Sequence, residues 1–223
     1  MENIQKNRDL IINKIKDVHK NSSFCKSEIP TLVAVSKKQE DFKINDALLC
    51  GQKCFGENRV QEAIQRWESR LKNYNDLELR LIGPLQTNKV KQALKLFDVI
   101  ETLDREKLAK EIKDNINDKI KTKSFYIQIN TGEETQKGGI NVLEADNFIN
   151  YCKNDLVLPI SGLMCIPPVN EEPAMHFNLL KKIAYRNNLQ KLSMGMSNDF
   201  EEAIKFGATS LRIGSMFFGE RQY

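Results

Sequence analysis

Eight short apolar segments, each followed by a polar or helical stretch, constrain what this chain can fold into more than any other feature. The spacing predicts strands over 32–36, 53–55, 79–82, 98–101, 124–130, 158–165, 191–194 and 210–213. Between them it predicts helices over 41–50, 58–73, 87–96, 105–119, 141–152, 173–187 and 199–206. Strands that alternate with helices pair in parallel, because a crossover helix returns the chain to the same end of the sheet. Eight such strands in about 200 residues favour closure into a (β/α)8 TIM barrel over an open doubly wound sheet. No G-x-G-x-x-G follows the first strand, which tells against a dinucleotide-binding fold. An extra amphipathic helix over 3–20, carrying Ile4, Leu10, Ile11, Ile15 and Val18, precedes the barrel. No Gly/Ser-rich linker or composition shift divides the chain, so residues 1–223 are expected to form one domain.

Charge and cysteine usage exclude several classes. The net charge of +4 is modest, and lysines alternate with acids, as in Lys110-Glu111-Ile112-Lys113-Asp114. That pattern is a solvated helix face; without a concentrated basic stripe or a binding module, no nucleic-acid partner is expected. Five cysteines with no C-x-x-C pair indicate neither a disulfide framework nor a zinc site, so no metal is expected and the thiols read as reduced and cytoplasmic. The first residues are charged rather than apolar, unlike a secretory signal. No apolar run approaches the roughly 20 residues a membrane helix needs, so no membrane association is expected.

In a barrel of this type chemistry gathers where the strands end. The first exit offers Lys37, the second Gly56-Glu57-Asn58, the third residues 83–89, the fifth Asn130, the seventh residues 195–199 and the eighth Gly214-Ser215. A lysine held partly desolvated at a strand end has its ammonium form disfavoured and becomes a nucleophilic amine able to form a Schiff base. On this segment alone, in a chain with 34 Lys+Arg, Lys37 also reads as the solvated end of a strand. Ser197, Gly214 and Ser215 fit a phosphate site, with hydroxyl donors and backbone N–H groups that can approach an anion. Ordinary helix capping by Asn198, with Glu201 three residues later, is the competing reading of the seventh exit. Alternation with Gly214 points Arg212 into the barrel, where a charge needs a ligand or a partner such as Glu101.

Several motifs, in order, resemble one family. They are Val33-Ala34-Val35-Ser36-Lys37; Phe55-Gly56-Glu57-Asn58 with Val60-Gln61-Glu62; Ile82-Gly83-Pro84-Leu85-Gln86 with Asn88-Lys89; Ser193-Met194-Gly195-Met196-Ser197 with Asp199; and Arg212-Ile213-Gly214-Ser215 with Phe218-Gly219. Asn130, Glu134, Lys137 and Gly139, and the run Gly162-Leu163-Met164, belong to the same likeness. From about residue 30 onward the chain resembles the YggS/PROSC family of pyridoxal phosphate (PLP) homeostasis proteins.

The resemblance implies a barrel related to the N-terminal domain of alanine racemase, with PLP held on Lys37 as a Schiff base. Lys38 does not match the anchoring position. By position, Ser197, Gly214 and Ser215 match the phosphate-binding segments, Arg212 the arginine facing the pyridine nitrogen, and Asn58 a motif beside the cofactor. Ser215 stands where threonine is frequent in the family, which keeps the hydroxyl.

Two functions from different classes follow. One is a PLP carrier that buffers the cofactor and passes it to apo PLP-dependent enzymes; the other is a PLP-dependent amino-acid racemase. Racemisation needs acid/base groups on both faces of Cα, and Lys37 serves one. Racemases resembling this fold take the opposing base, a tyrosine, from an added β-domain of the partner subunit, and no such domain is expected here. Tyr74, Tyr126, Tyr151, Tyr185 and Tyr223 offer no substitute at a strand exit, and His19 and His176 fall in predicted helices. The carrier is therefore favoured, as a cytoplasmic monomer without catalytic residues of its own and with at most weak racemase activity.

Overall fold

The computed structural model describes residues 4–219. Its strands are β1 (Thr31–Val35), β2 (Cys54–Glu57), β3 (Glu78–Leu81), β4 (Val99–Leu103), β5 (Ser124–Asn130), β6 (Ile140–Asn141), β7 (Ile160–Met164), β8 (Lys191–Ser193) and β9 (Ser210–Ile213). Neighbours run in the order β4-β3-β2-β1-β9-β8-β7-β5, all parallel, and pairing of β4 with β5 closes the barrel. The expected (β/α)8 TIM barrel is the observed fold. The two-residue β6 was not foreseen; it pairs with the exit of β5 outside the ring.

The amphipathic N-terminal helix, α1 (Ile4–Lys20), does more than precede the barrel. Ile4, Ile11, Ile15 and His19 are buried on one face, as i, i+4 and i, i+7 spacing requires. The helix packs against helices Asp41–Leu49, Phe200–Lys205 and Ser215–Phe218. Among the described residues β9 is followed only by that last single turn. Thus α1 fills the eighth place in the helical ring and helps cover the apolar outer faces of β1 and β9, where Leu32, Ala34, Leu211 and Ile213 lie.

Helix boundaries differ from the sequence expectation where side chains compete for the backbone. The helix expected over 105–119 is Glu106–Asn115. Asn115 turns its amide onto the Glu111 carbonyl at 2.7 Å, and Asn117 accepts from the Lys119 N–H at 3.0 Å. The helix expected over 58–73 divides into Val60–Trp67 and Arg70–Asn73, and the one over 141–152 becomes a 3-10 turn, a short α-helix Ala145–Asn150 and a π-turn Tyr151–Asp155.

The apolar core lies between the outside of the barrel and the helices, where Phe55, Trp67, Phe97, Phe125, Phe177 and Phe200 are among the largest buried side chains. The inside of the barrel is different. Period-2 alternation turns Cys54, Glu78, Arg80, Glu101, Tyr126, Ser193, Ser210 and Arg212 toward its axis, and most of these are buried. Arg80 pairs with Glu78 and, at 2.9 Å, with Glu101 Oε1. Burial raises the Tyr126 phenol to about 12, with Arg80 acting against it. Removing such charges from water is costly, so each persists only through its partners.

Candidate functional site

Lys37 lies two residues beyond β1 in a turn, half-buried, and the chain reverses at Lys38, whose φ is +58°. That turn is tied down from behind. Ser36 donates to Glu57 Oε1 at 2.7 Å, and the same oxygen accepts from Arg66 Nη1 at 2.9 Å and Trp67 Nε1 at 2.9 Å. Glu57 is fully buried at the exit of β2. It therefore fixes the backbone beside Lys37 to β2 and to helix Val60–Trp67, a role its polar character at a strand end did not disclose.

Asn58 follows directly. Its Oδ1 is buried without a hydrogen-bond partner, and its backbone is packed so closely by Gly83 that a Cβ there would stand 2.3 Å from the Asn58 carbonyl oxygen. The third exit thus buttresses the second: Thr102 Oγ1 donates to the Gly83 carbonyl at 2.8 Å and holds the loop in place.

The seventh and eighth exits meet. Ser215 Oγ donates to Ser197 Oγ at 3.1 Å, and the Met216 N–H approaches the same oxygen at 3.4 Å. Gly195 has φ +92°, a conformation a side chain would strain, and a Cβ there would lie 2.6 Å from Ala203 Cβ. The capping reading is not realised. Asp199, not Asn198, occupies the cap of Phe200–Lys205, and it makes no side-chain cap bond to that helix. Its Oδ1 instead accepts from the Met196 N–H, which turns the carboxylate toward its own loop.

Arg212 is 4% exposed, and its guanidinium is fixed from two sides. Nη1 donates to Ser193 Oγ at 2.6 Å and Nη2 to the Cys165 carbonyl at 2.7 Å. Ser193 donates in turn to Glu101 Oε2 at 2.6 Å. The anticipated Glu101 partner is therefore present one hydroxyl away, while Arg80 takes its other oxygen. Burial pushes the Cys165 thiol up to about 12 against the pull of Arg212, so it offers no thiolate at neutral pH.

One cleft of about 780 Å³ at the C-terminal end of the barrel is lined by Lys37, Asn58, Ser197, Arg212, Gly214 and Ser215 together. Lys38 is exposed and does not line it. Asn130 stays with its own loop, where its amide donates to the Glu134 carbonyl at 2.9 Å and its Oδ1 accepts from the Glu134 N–H at 3.3 Å. The opposite wall comes from the sixth exit, after β7, with Ile166, Pro167, Pro168, Val169, Glu171 and Pro173. The sequence reading passed over this exit; a Pro-Pro pair directly after an apolar strand was the available signal. Among the described residues no tyrosine, histidine or cysteine lines the cleft. Tyr126 lies inside the barrel, His19 meets Ser27 at 3.3 Å, His176 stands behind Glu171 at 3.2 Å, and Tyr223 is outside the described residues.

A parallel (β/α)8 barrel with a lysine, paired serines and a buried arginine around one cleft defines the class: a barrel protein with a small-molecule site on the face where strands end. The chain belongs to the alanine racemase N-terminal domain family, whose model matches residues 16–222, and within it to the pyridoxal phosphate homeostasis proteins. It is 41% identical over 204 residues to the pyridoxal phosphate homeostasis protein of Aquifex aeolicus, covering 86% of this chain and 87% of that one. It is 35% identical over 235 aligned positions to that of Haemophilus influenzae, covering 99% and 97%. The structure of PipY from Synechococcus elongatus with PLP bound superposes with a TM-score of 0.75 at 29% identity, over 92% of this chain and 100% of PipY.

Proposed function

We propose that this chain is a PLP-binding homeostasis protein, with residues 1–223 acting as one binding domain and Lys37 as the covalent anchor for the cofactor's aldehyde. The observation that carries the reading is the convergence of Lys37, Asn58, Ser197, Arg212, Gly214 and Ser215, from distant strand exits, on one cleft. Their chemistry fits PLP. The Ser197 and Ser215 hydroxyls, with the close backbone at Gly214, suit a phosphate; the orphaned Asn58 Oδ1 awaits a donor; and Arg212 presents charge to the ring. PLP bound here would supply a reactive aldehyde on an electron-withdrawing ring. The protein's part is to hold and shield it. Ser36 and Glu57 keep the Lys37 turn in place, and Ser193 and Cys165 keep Arg212 in place.

This reading extends to a cytoplasmic monomer that hands PLP to apo PLP-dependent enzymes. It is supported by relatives named as homeostasis proteins rather than as enzymes. Racemisation as the alternative needs a second base at Cα, and the remaining acidic side chains of the cleft, Glu171 and Asp199, are bonded to His176 and the Met196 N–H.

The test is borohydride reduction of PLP-loaded protein followed by peptide mass spectrometry. A pyridoxyl adduct on Lys37, absent in Lys37→Ala while the variant's circular dichroism is unchanged, is the expected result. An adduct elsewhere, or none, overturns the anchor. Rapid racemisation of any amino acid by the holoprotein, lost in Lys37→Ala, overturns the carrier in favour of the enzyme.

A further inference from the structure

The hydrogen-bond directions inside the barrel are fixed by chemistry. A guanidinium only donates and a carboxylate only accepts, so the Ser193 hydroxyl, 2.6 Å from each, must point its proton at Glu101 and its lone pair at Arg212. Glu101 is fully buried, and its second oxygen is taken by Arg80, which also pairs with Glu78; Cys54 Sγ donates to that same Glu78 carboxylate at 3.7 Å. A continuous polar line therefore runs from the base of the barrel to the cleft. At its upper end both anchors of Arg212, Ser193 Oγ and the Cys165 carbonyl, are neutral oxygens. The nearest carboxylate in the line is one hydroxyl removed, so the guanidinium is held in place without a direct contact that cancels its charge.

We propose that Ser193 and Glu101 are positioning residues that aim Arg212 at an unprotonated ring nitrogen and so make the cleft selective for a heteroaromatic ring with an acceptor at that position. The proposal rests on the PLP reading. A cationic donor held rigidly at the cleft wall favours an acceptor atom and disfavours a protonated one. Selectivity belongs to the relay because without Ser193 the guanidinium keeps only the Cys165 carbonyl and can pivot about that single contact, so it no longer faces one point.

The experiment compares the affinity of PLP with that of 1-deaza-PLP, in which the ring nitrogen is a C–H, while borohydride trapping on Lys37 reports loading of each. Wild type is expected to prefer PLP by at least about tenfold, the scale of a hydrogen bond to a charged group. Ser193→Ala should lose most of that preference while still being trapped at Lys37. Glu101→Gln is the second variant: Arg80 and Ser193 donate to opposite oxygens of the carboxylate, and an amide puts an NH2 donor in place of one of them, so it should narrow the preference too. Ser210→Ala is the control, an equal deletion in the same interior whose Oγ has no hydrogen-bond partner, and it should keep the wild-type ratio. Ser193→Ala protein that binds both compounds with the wild-type ratio overturns the proposal, as does a wild type without preference. Failure of the wild type to load either compound at Lys37 overturns the PLP reading as well, and the trapping readout distinguishes that case.

Discussion

Arg212 and Glu101 are joined through a single hydroxyl, with Ser193 Oγ 2.6 Å from each. The two charges sit at different levels of the barrel interior, and the lower one also carries Arg80 at 2.9 Å. The interior thus combines charge pairs with a small apolar cluster of Val99, Tyr126 and Met164, unlike the apolar shell between strands and helices.

Replacing Glu101 by leucine leaves Arg80 with Glu78 as its remaining carboxylate partner among the described residues and removes the acceptor behind Ser193. Breaking one side of a buried ionic network costs about 3–5 kcal/mol. Denaturant unfolding should show a loss of that size, and a loss below about 1 kcal/mol would mean that the interior network is redundant.

A negative charge in the serine pair should repel a phosphate. Ser197→Asp and Ser215→Asp are each expected to weaken PLP retention by at least about tenfold, since like charges a few ångströms apart cost more than 1 kcal/mol in a partly shielded cleft. Equilibrium dialysis measures this; unchanged affinity in both variants would remove the phosphate assignment.

Gly83→Ala tests the buttress beneath the second exit. Its Cβ would lie 2.3 Å from the Asn58 carbonyl oxygen and 2.7 Å from its Cα, both backbone atoms that cannot rotate aside. The expected result is destabilisation of about 1–3 kcal/mol together with weaker PLP binding, because Asn58 must shift. Thermal unfolding and dialysis on the same variant report the two effects, and a variant normal in both would show that the loop relaxes freely.

The cysteines should separate by burial. Cys152 and Cys165 are buried, and burial raises both thiols to about 12; burial raises the Cys54 thiol further still. The thiol is the neutral form, so raised values leave little thiolate at neutral pH, and reactivity grows only as pH rises toward them. Iodoacetamide on native protein should mark the exposed Cys25 and spare these three until denaturant is added. Prompt native labelling of Cys165 would contradict the closed packing beneath Arg212.

Sequence reasoning reached the barrel because strand and helix periodicities are local. It also reached the rim, since a residue just after a strand lies at the barrel mouth whatever the rest of the chain does; Lys37, Asn58 and Ser197 were legible in this way. On its own stretch it left the seventh exit open between a phosphate site and capping by Asn198, and only the pairing with Gly214-Ser215 favoured phosphate, because a capping pattern says nothing about which neighbour the backbone chooses; Asp199 took the cap. It found Arg212 and its possible partner Glu101 by alternation, but not the hydroxyl between them, because any of several inward residues could have stood there.

The amino-acid sequence by itself determined the alternation of elements, the small and polar character of the strand exits, and the amphipathic face of α1, all set by neighbours within a few positions. Tertiary structure alone decided that α1 fills the eighth helical place, that residues 166–173 form the far wall of the cleft, and that Ser193 joins Arg212 to Glu101. The reason is distance along the chain. Glu101 and Ser193 are 92 residues apart, and only closure of the barrel, by pairing of β4 with β5, brings their strands around one interior.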